Sequence, residues 1–162
     1  MSTGPELAAD IRAAMAEFQQ ACAGVDETSA GRAPKGRWTP FEIASHVAGP
    51  EGPGLIGLFD RFLSEDAPRI DLVPEQTYMT DARRAMNFAA VAELAAGRYE
   101  AVAAYAEKLT PAQLARTAHV PVFKDSPMGE RPSLATMIGV LGANHVRMHA
   151  EHLREVLAGK PA

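Results

Sequence analysis

Apolar side chains recur at steps of three and four through Leu7, Ile11, Met15, Phe18, Cys22 and Val25, the spacing that lines one side of a 3.6-residue helix. The pattern predicts a first helix ending near Gly24, because the stretch that follows, through Gly31, Pro34 and Gly36, holds chain breakers and no apolar period. Thr39-Pro40-Phe41-Glu42 then reads as a helix start. Thr39 is the N-cap, Pro40 occupies the first helical position where its missing N–H costs nothing, and Glu42 supplies the capping-box carboxylate. The helix it opens carries Ile43, His46 and Val47 and then meets Gly49-Pro50-Glu51-Gly52-Pro53-Gly54. The ring of Pro50 would press on the carbonyl of His46, so a kink or break is expected just after His46, with helix resuming through Leu55, Leu58, Phe59 and Phe62.

A loop is expected from Ser64 to Thr80, and a third helix from about Asp81 to Lys108 with Phe88, Val91, Ala95, Tyr99, Val102 and Ala106 along one face. Thr110-Pro111-Ala112-Gln113 repeats the capping-box grammar and starts a short helix. Thr117 to Arg131, with Pro121, Pro127 and Gly129, reads as a loop in which His119 to Phe123 could be extended. Ser133 caps a last helix running to about Ala158, ended by Gly159 and Pro161. Four long helices bury their apolar stripes most simply as an all-α four-helix bundle, here a single domain over residues 1–162. The connections between helices one and two, two and three, and three and four are longer than the usual bundle loops, which permits a crossover topology and gives a site extra walls.

Composition narrows the function classes. With 47% hydrophobic and 22% charged residues the chain is an ordinary globular one, and a net charge of −4 gives no pull toward phosphate backbones or anionic lipid. Nucleic acid and membrane are therefore not expected partners. No run of 18 apolar residues occurs, and Met1 to Asp10 lacks the basic head and apolar run of an export signal. Cys22 is the sole cysteine, so neither a disulfide nor a thiolate metal cluster is available, which suits a reducing cytoplasm. Cys22 itself continues a core stripe and reads as a small buried hydrophobe.

The histidines carry the candidate chemistry. His145, His149 and His152 fall within eight residues of the last helix. At 100° per residue, His149 lies about 40° to one side of His145 and His152 about 20° to the other. The three share a stripe that continues the apolar row of Leu134, Ile138 and Leu141, so they point inward by pattern. Residues four apart are about 6 Å apart along the axis, close enough for two imidazoles to converge on one ion, whereas His145 and His152 are about 10 Å apart, so the pairs to consider are His145 with His149 or His149 with His152. His46, among Phe41, Ile43 and Val47, offers a third nitrogen from a second helix, and metal sites in bundle cores are assembled from facing helices in this way. The competing reading is a polar stripe of structural histidines satisfied by solvent or by neighbouring Glu and Asn.

Trp38-Thr39-Pro40-Phe41-Glu42-Ile43-Ala44-Ser45-His46, followed about a hundred residues later by His145-Val146-Arg147-Met148-His149-Ala150-Glu151-His152, resembles the DinB/YfiT-like superfamily of metalloenzymes. Chain length and helix order match that family, and the motifs span some twenty residues. The resemblance implies a four-helix bundle of the DinB/YfiT-like type with His46, His145 and His149 as metal ligands. His152 stands where the family often has Gln, leaving it a fourth-ligand or supporting role. The Gly-Pro pairs after His46 interrupt a helix that is usually smoother. Characterised relatives include transferases and isomerases using low-molecular-weight thiols such as mycothiol, bacillithiol or glutathione. The resemblance thus implies a thiol-dependent S-transferase or a metal-dependent hydrolase acting on a small molecule, and a homodimer, as many relatives form.

Three imidazoles on a divalent ion leave a position open for water or substrate; Zn²⁺ leads, and Ni²⁺, Fe²⁺ or Cu²⁺ also suit imidazole. No general base stands out. Glu42 is explained by the cap, Glu51 would need the Pro50 kink to re-aim it, and Glu151 and Arg147 lie off the histidine stripe. Arg83 and Arg84 read as an exposed helix start or as an anion site, His119 as a loop residue that is not a ligand, and Trp38 and Tyr78 as pocket walls or packing aromatics. Two function classes stand: a cytoplasmic metalloenzyme, and a noncatalytic bundle for ligand binding or dimerisation.

Overall fold

A computed structural model describes residues 1–162, and its regular elements are helical throughout. The first helix, α1, covers Gly4–Cys22 and is opened by a Thr3–Glu6 capping box. A single turn, α2 (Glu27–Ala30), follows where only breakers were expected; Asp26 and Ser29 cap it reciprocally, a short-range device that apolar periodicity does not register. The helix of the Thr39 cap, α3, covers Pro40–Ala48, and α4 covers Gly54–Ser64. Helix therefore persists two residues beyond His46 before Gly49, at φ 77°, turns the chain ahead of Pro50.

The expected third helix is divided. A turn, α5 (Asp81–Arg84), is separated from α6 (Phe88–Glu107), because the side chain of Asn87 accepts the backbone N–H of Ala90 at 2.8 Å and starts a new helix. The short helix α7 covers Pro111–Leu114, and a 3₁₀ turn covers Pro121–Phe123. The last helix begins as α8 (Leu134–Ile138), widens into a π segment over Gly139–Asn144 and continues as α9 (His145–Leu157). Two isolated bridges pin the long connections: Arg69 with His119 joins the 65–80 stretch to the 115–133 stretch, and Thr117 with Ser133 closes the latter on itself.

These helices make a four-helix bundle. α1 lies against α6, α9 and the π segment, while α3 lies against α6 and α9. One continuous core joins them, centred on Ile11, Phe18, Ile43, Phe59, Phe62 and Leu153. At the π segment Gly142 lets α1 approach closely, since a Cβ there would meet the Ile11 side chain at 3.0 Å. No helix is long and apolar enough to cross a membrane. The bundle places the inner faces of α3 and α9 opposite each other, and the long 65–80 connection crosses their open end.

Candidate metal centre

His46 stands in the last turn of α3, whose start is fixed by the Thr39–Glu42 capping box. Its ring is oriented from outside the helix: Nδ1 donates to the carbonyl of Gln76 at 2.5 Å, leaving Nε2 with a free lone pair. The preceding residue, Ser45, is buried and donates to the carbonyl of Thr77 at 2.6 Å. Two carbonyls of the 65–80 connection therefore clamp the end of α3. Glu75 and Tyr78, on either side of those carbonyls, hold left-handed backbone at φ 60° and 54°, a conformation that costs non-glycine residues energy and persists only where surroundings enforce it.

The carbonyls at the C-terminal end of α3 are satisfied by two guanidinium groups. Arg83, only 3% exposed, donates to the carbonyl of Ser45 at 3.0 Å, to its hydroxyl at 3.1 Å, and to the carbonyl of Gly49 at 3.1 Å. Arg98 donates to the carbonyl of Ala48 at 2.9 Å and to that of Pro50. Arg83 is thus neither an exposed helix start nor an anion site, as its sequence context suggested. It is a buried cation spent on the break after α3, which fixes the chain just beyond His46.

From α9 come His145 and His149, preceded by the π segment that carries the backbone N–H of His145 to the carbonyl of Val140. The Nε2 atoms of His46 and His145 are 2.9 Å apart. One ligand atom from each of His46, His145 and His149 lies within 4.8 Å of the others. Nitrogens around a tetrahedral zinc at 2.0–2.1 Å lie about 3.3 Å from one another, so the observed spacings bracket what an ion requires. His149 is 6% exposed; its Nδ1 faces the Nδ1 of His152 at 3.5 Å, and Trp38 stacks against its ring with centroids 6.2 Å apart. On the other flank, Tyr78 stacks on His46 at 6.1 Å.

Electrostatics keep this cluster neutral. Burial, reinforced by the mutual proximity of the rings, pushes His145 down to about 4 and His149 down to about 2; burial also lowers His46 against the opposing bond to Gln76. His152 is lowered by burial and by Arg37, with Glu155 acting the other way. Neutral imidazoles are the form that ligates metal. The tautomers follow from the bonding. With Nδ1 of His46 committed to Gln76, the 2.9 Å contact requires a proton on His145 Nε2, so His145 Nδ1 accepts from the Tyr99 hydroxyl at 3.4 Å. Tyr99 lies equally 3.4 Å from the carbonyl of Leu141 in the π segment. If His145 moves its proton to Nδ1, the Tyr99 hydroxyl can turn to that carbonyl and accept from His145 instead, which frees both Nε2 lone pairs. Burial raises the Tyr99 phenol, so it stays a donor.

The remaining candidates fall elsewhere. Glu42 is used in the cap, and Glu51 is exposed and does not line the site. Arg147 ties α9 to α1 through Asp10 at 2.6 Å and Glu17 at 3.2 Å, Glu151 faces Arg154, and Arg84 pairs with Asp81. His119 faces Glu130 at 3.5 Å, away from the cluster. Cys22 is buried and its thiol is pushed up to about 12, far from thiolate chemistry. Three contributors escape a reading of motifs: the main-chain carbonyl of Gln76, the Arg83–Arg98 pair and Tyr99. Tyr99 left a trace, as a hydroxyl within an apolar row that must find a partner when buried, and Arg83 stood out only in another role.

The three histidines and His152 sit in the wall of a cavity of about 1450 Å³, shared with Trp38 and Tyr78. A model of the DinB superfamily matches residues 10–153. Among solved structures, the chain is similar to YfiT from Bacillus subtilis, described as a probable metal-dependent hydrolase with an unusual four-helix bundle topology. The two share 18% identity with a TM-score of 0.70 over 98% of this chain and 87% of that one. No curated protein matches the chain.

Proposed function

The chain belongs to the DinB superfamily, and from that premise we propose that it is a metal-dependent enzyme in which His46, His145 and His149 hold a divalent ion, Zn²⁺ first among the candidates. The observation that carries the reading is the convergence of three neutral imidazole nitrogens within 4.8 Å, drawn from two helices and facing a cavity. Three protein ligands leave a position for water or substrate, the pattern of catalytic sites. When bound, such an ion supplies a Lewis acid that brings a coordinated water toward a pKa of about 7 or accepts a substrate thiolate. The chain's own residues present the nitrogens: Gln76 fixes the His46 tautomer, Tyr99 lets His145 exchange between tautomers, and His152 and Trp38 hold the plane of His149.

Hydrolysis of a small molecule is the reaction we favour, supported by the fold shared with Bacillus subtilis YfiT and its description. Transfer to a low-molecular-weight thiol is the competing chemistry, and a buried lone cysteine fits a protein of the reducing cytoplasm. The test is elemental analysis of protein purified without a metal-affinity step, beside His149→Ala, followed by hydrolase and thiol-transfer assays with and without chelator. About one ion per chain is expected in the parent and far less in the variant. Full retention by His149→Ala, or activity indifferent to chelator, would leave the histidines structural and the bundle noncatalytic.

A further inference from the structure

The cavity lining is mixed: beside the histidines stand Trp38 and Tyr78, and much of the remaining wall is apolar, with Leu55, Ile56, Leu58, Val102, Phe123 and Leu141. At its mouth stand Val73, Val122 and Met148, which are 67%, 54% and 58% exposed and account for three of the five exposed large hydrophobic residues of the chain. Scattered apolar residues on a surface need no explanation, but three gathered on the rim of one cavity mark a place where apolar matter enters or leaves. The cations that share the lining are already engaged: Arg98 by the carbonyls of Ala48 and Pro50, Arg37 by Glu155 at 2.8 Å and the carbonyl of Pro161 at 2.9 Å. Of the acidic groups in the lining, Asp71 is paired with Arg69 at 3.0 Å, which leaves Glu75 to repel a second negative charge.

We propose that the cavity takes a small molecule with a metal-binding polar head at the three histidines and an extended alkyl or aryl body running out past Leu58 and Phe123 to the Val73, Val122 and Met148 rim. The head rests on the metal reading above; the body rests on the walls alone. A volume near 1450 Å³ is above the 300–1,000 Å³ common for ligand pockets, so a head-sized molecule would leave most of the walls wet.

The test is calorimetric titration of the zinc-supplemented protein and of His149→Ala with n-alkyl hydroxamates from butyl to dodecyl. Affinity should rise about two- to fourfold for each added methylene, the range that burial of a CH₂ sets after chain ordering is subtracted. An octyl member ending in a carboxylate should bind at least tenfold more weakly than its methyl-ended counterpart. Val122→Asp, an exposed substitution that leaves the core intact, should weaken the dodecyl member about tenfold and leave the butyl member unchanged. Chain-length dependence in His149→Ala, with loss only of the head's contribution, keeps the apolar body while separating it from the metal. If affinity does not change with chain length, or if the carboxylate-ended member binds as well, the proposal is overturned. So it is if the parent sediments as a dimer that Val122→Asp converts to monomer, which would assign the rim to a second copy of the chain.

Discussion

On the α3 side of the site, the imidazole of His46 is placed by polar groups far away in sequence: the carbonyls of Gln76 and Thr77, and two guanidinium groups on the helix end. On the α9 side, the helix that carries His145 and His149 is seated mainly by apolar packing, with its Val146, Ala150, Leu153 and Val156 buried in the core. Apolar packing is non-directional and spreads over many contacts, so it tolerates the loss of one. Buried hydrogen bonds to charged groups are directional, and removing one partner strands the other. The α3 side should therefore fail abruptly and the α9 side gradually.

Arg83→Ala tests that contrast at its strongest point. The substitution takes the guanidinium from the carbonyl of Gly49, beside the cavity, and removes one of two bonds from Ser45, whose carbonyl keeps the N–H of Gly49 and whose hydroxyl still donates to Thr77, at an expected cost of about 2 kcal/mol. Urea denaturation of the metal-free protein reads it directly. A loss under about 1 kcal/mol would mean that water replaces the guanidinium and that the α3 side is not built as described. Arg83→Lys should recover only part, since one ammonium cannot reproduce the guanidinium fork.

Acid is the lever on the α9 side. His145 and His149 are held well below the ordinary histidine range in the folded chain and return to about 6.5 on unfolding. Below pH 6.5 the unfolded chain binds protons that the native chain refuses, so stability is full above that pH and falls as the pH drops toward the folded values. Each histidine contributes a slope approaching about 1.4 kcal/mol per pH unit. Denaturation of the metal-free protein at pH 7.5, 5.5 and 4.5 should show the decline, and His145→Ala with His149→Ala together should remove most of it. A flat profile in the parent would mean that the imidazoles are solvated.

Tyr99→Phe separates placement from stability. Its two contacts are long, 3.4 Å each, so the loss of fold stability should stay near or under about 1 kcal/mol. Metal affinity should fall about ten- to a hundredfold, because His145 loses the partner that sets its tautomer. Competition with a chromogenic chelator measures this, and unchanged affinity would remove Tyr99 from the site.

The same contrast explains what could be read in the chain beforehand. Helical spacing puts His145, His149 and His152 on one stripe and leaves two pairs open, between which only the family resemblance chose, and the Thr39 cap puts His46 on its helix, since both are local rules with periods of three and four. The division of the third helix turned on Asn87, whose capping bond competes with an apolar row that continues on both sides of it. Arg83 looked like a solvated charge at a helix start because burial of a cation is decided by which carbonyls it meets, thirty-eight and thirty-four residues earlier in the chain. The π segment and the Gln76 carbonyl are main-chain features with no side-chain signature.

The smallest effect has the opposite sign. Glu75 is exposed, makes no side-chain bond and sits at φ 60° next to the carbonyl that orients His46. Left-handed backbone costs a non-glycine residue about 1–2 kcal/mol, and Glu75→Gly removes that cost while giving back about 0.5–1 kcal/mol through the freer unfolded chain. The net expectation is stabilisation by about 0.5 kcal/mol, read as a small rise in the urea midpoint with an unchanged slope. Metal affinity should hold if the arch is kept in shape by its bonds to α3, and fall if the side chain of Glu75 had been keeping Gln76 in line. A destabilised Glu75→Gly would show that the left-handed turn is relaxed in place, and the α3 side would then owe its order to the two guanidinium groups alone.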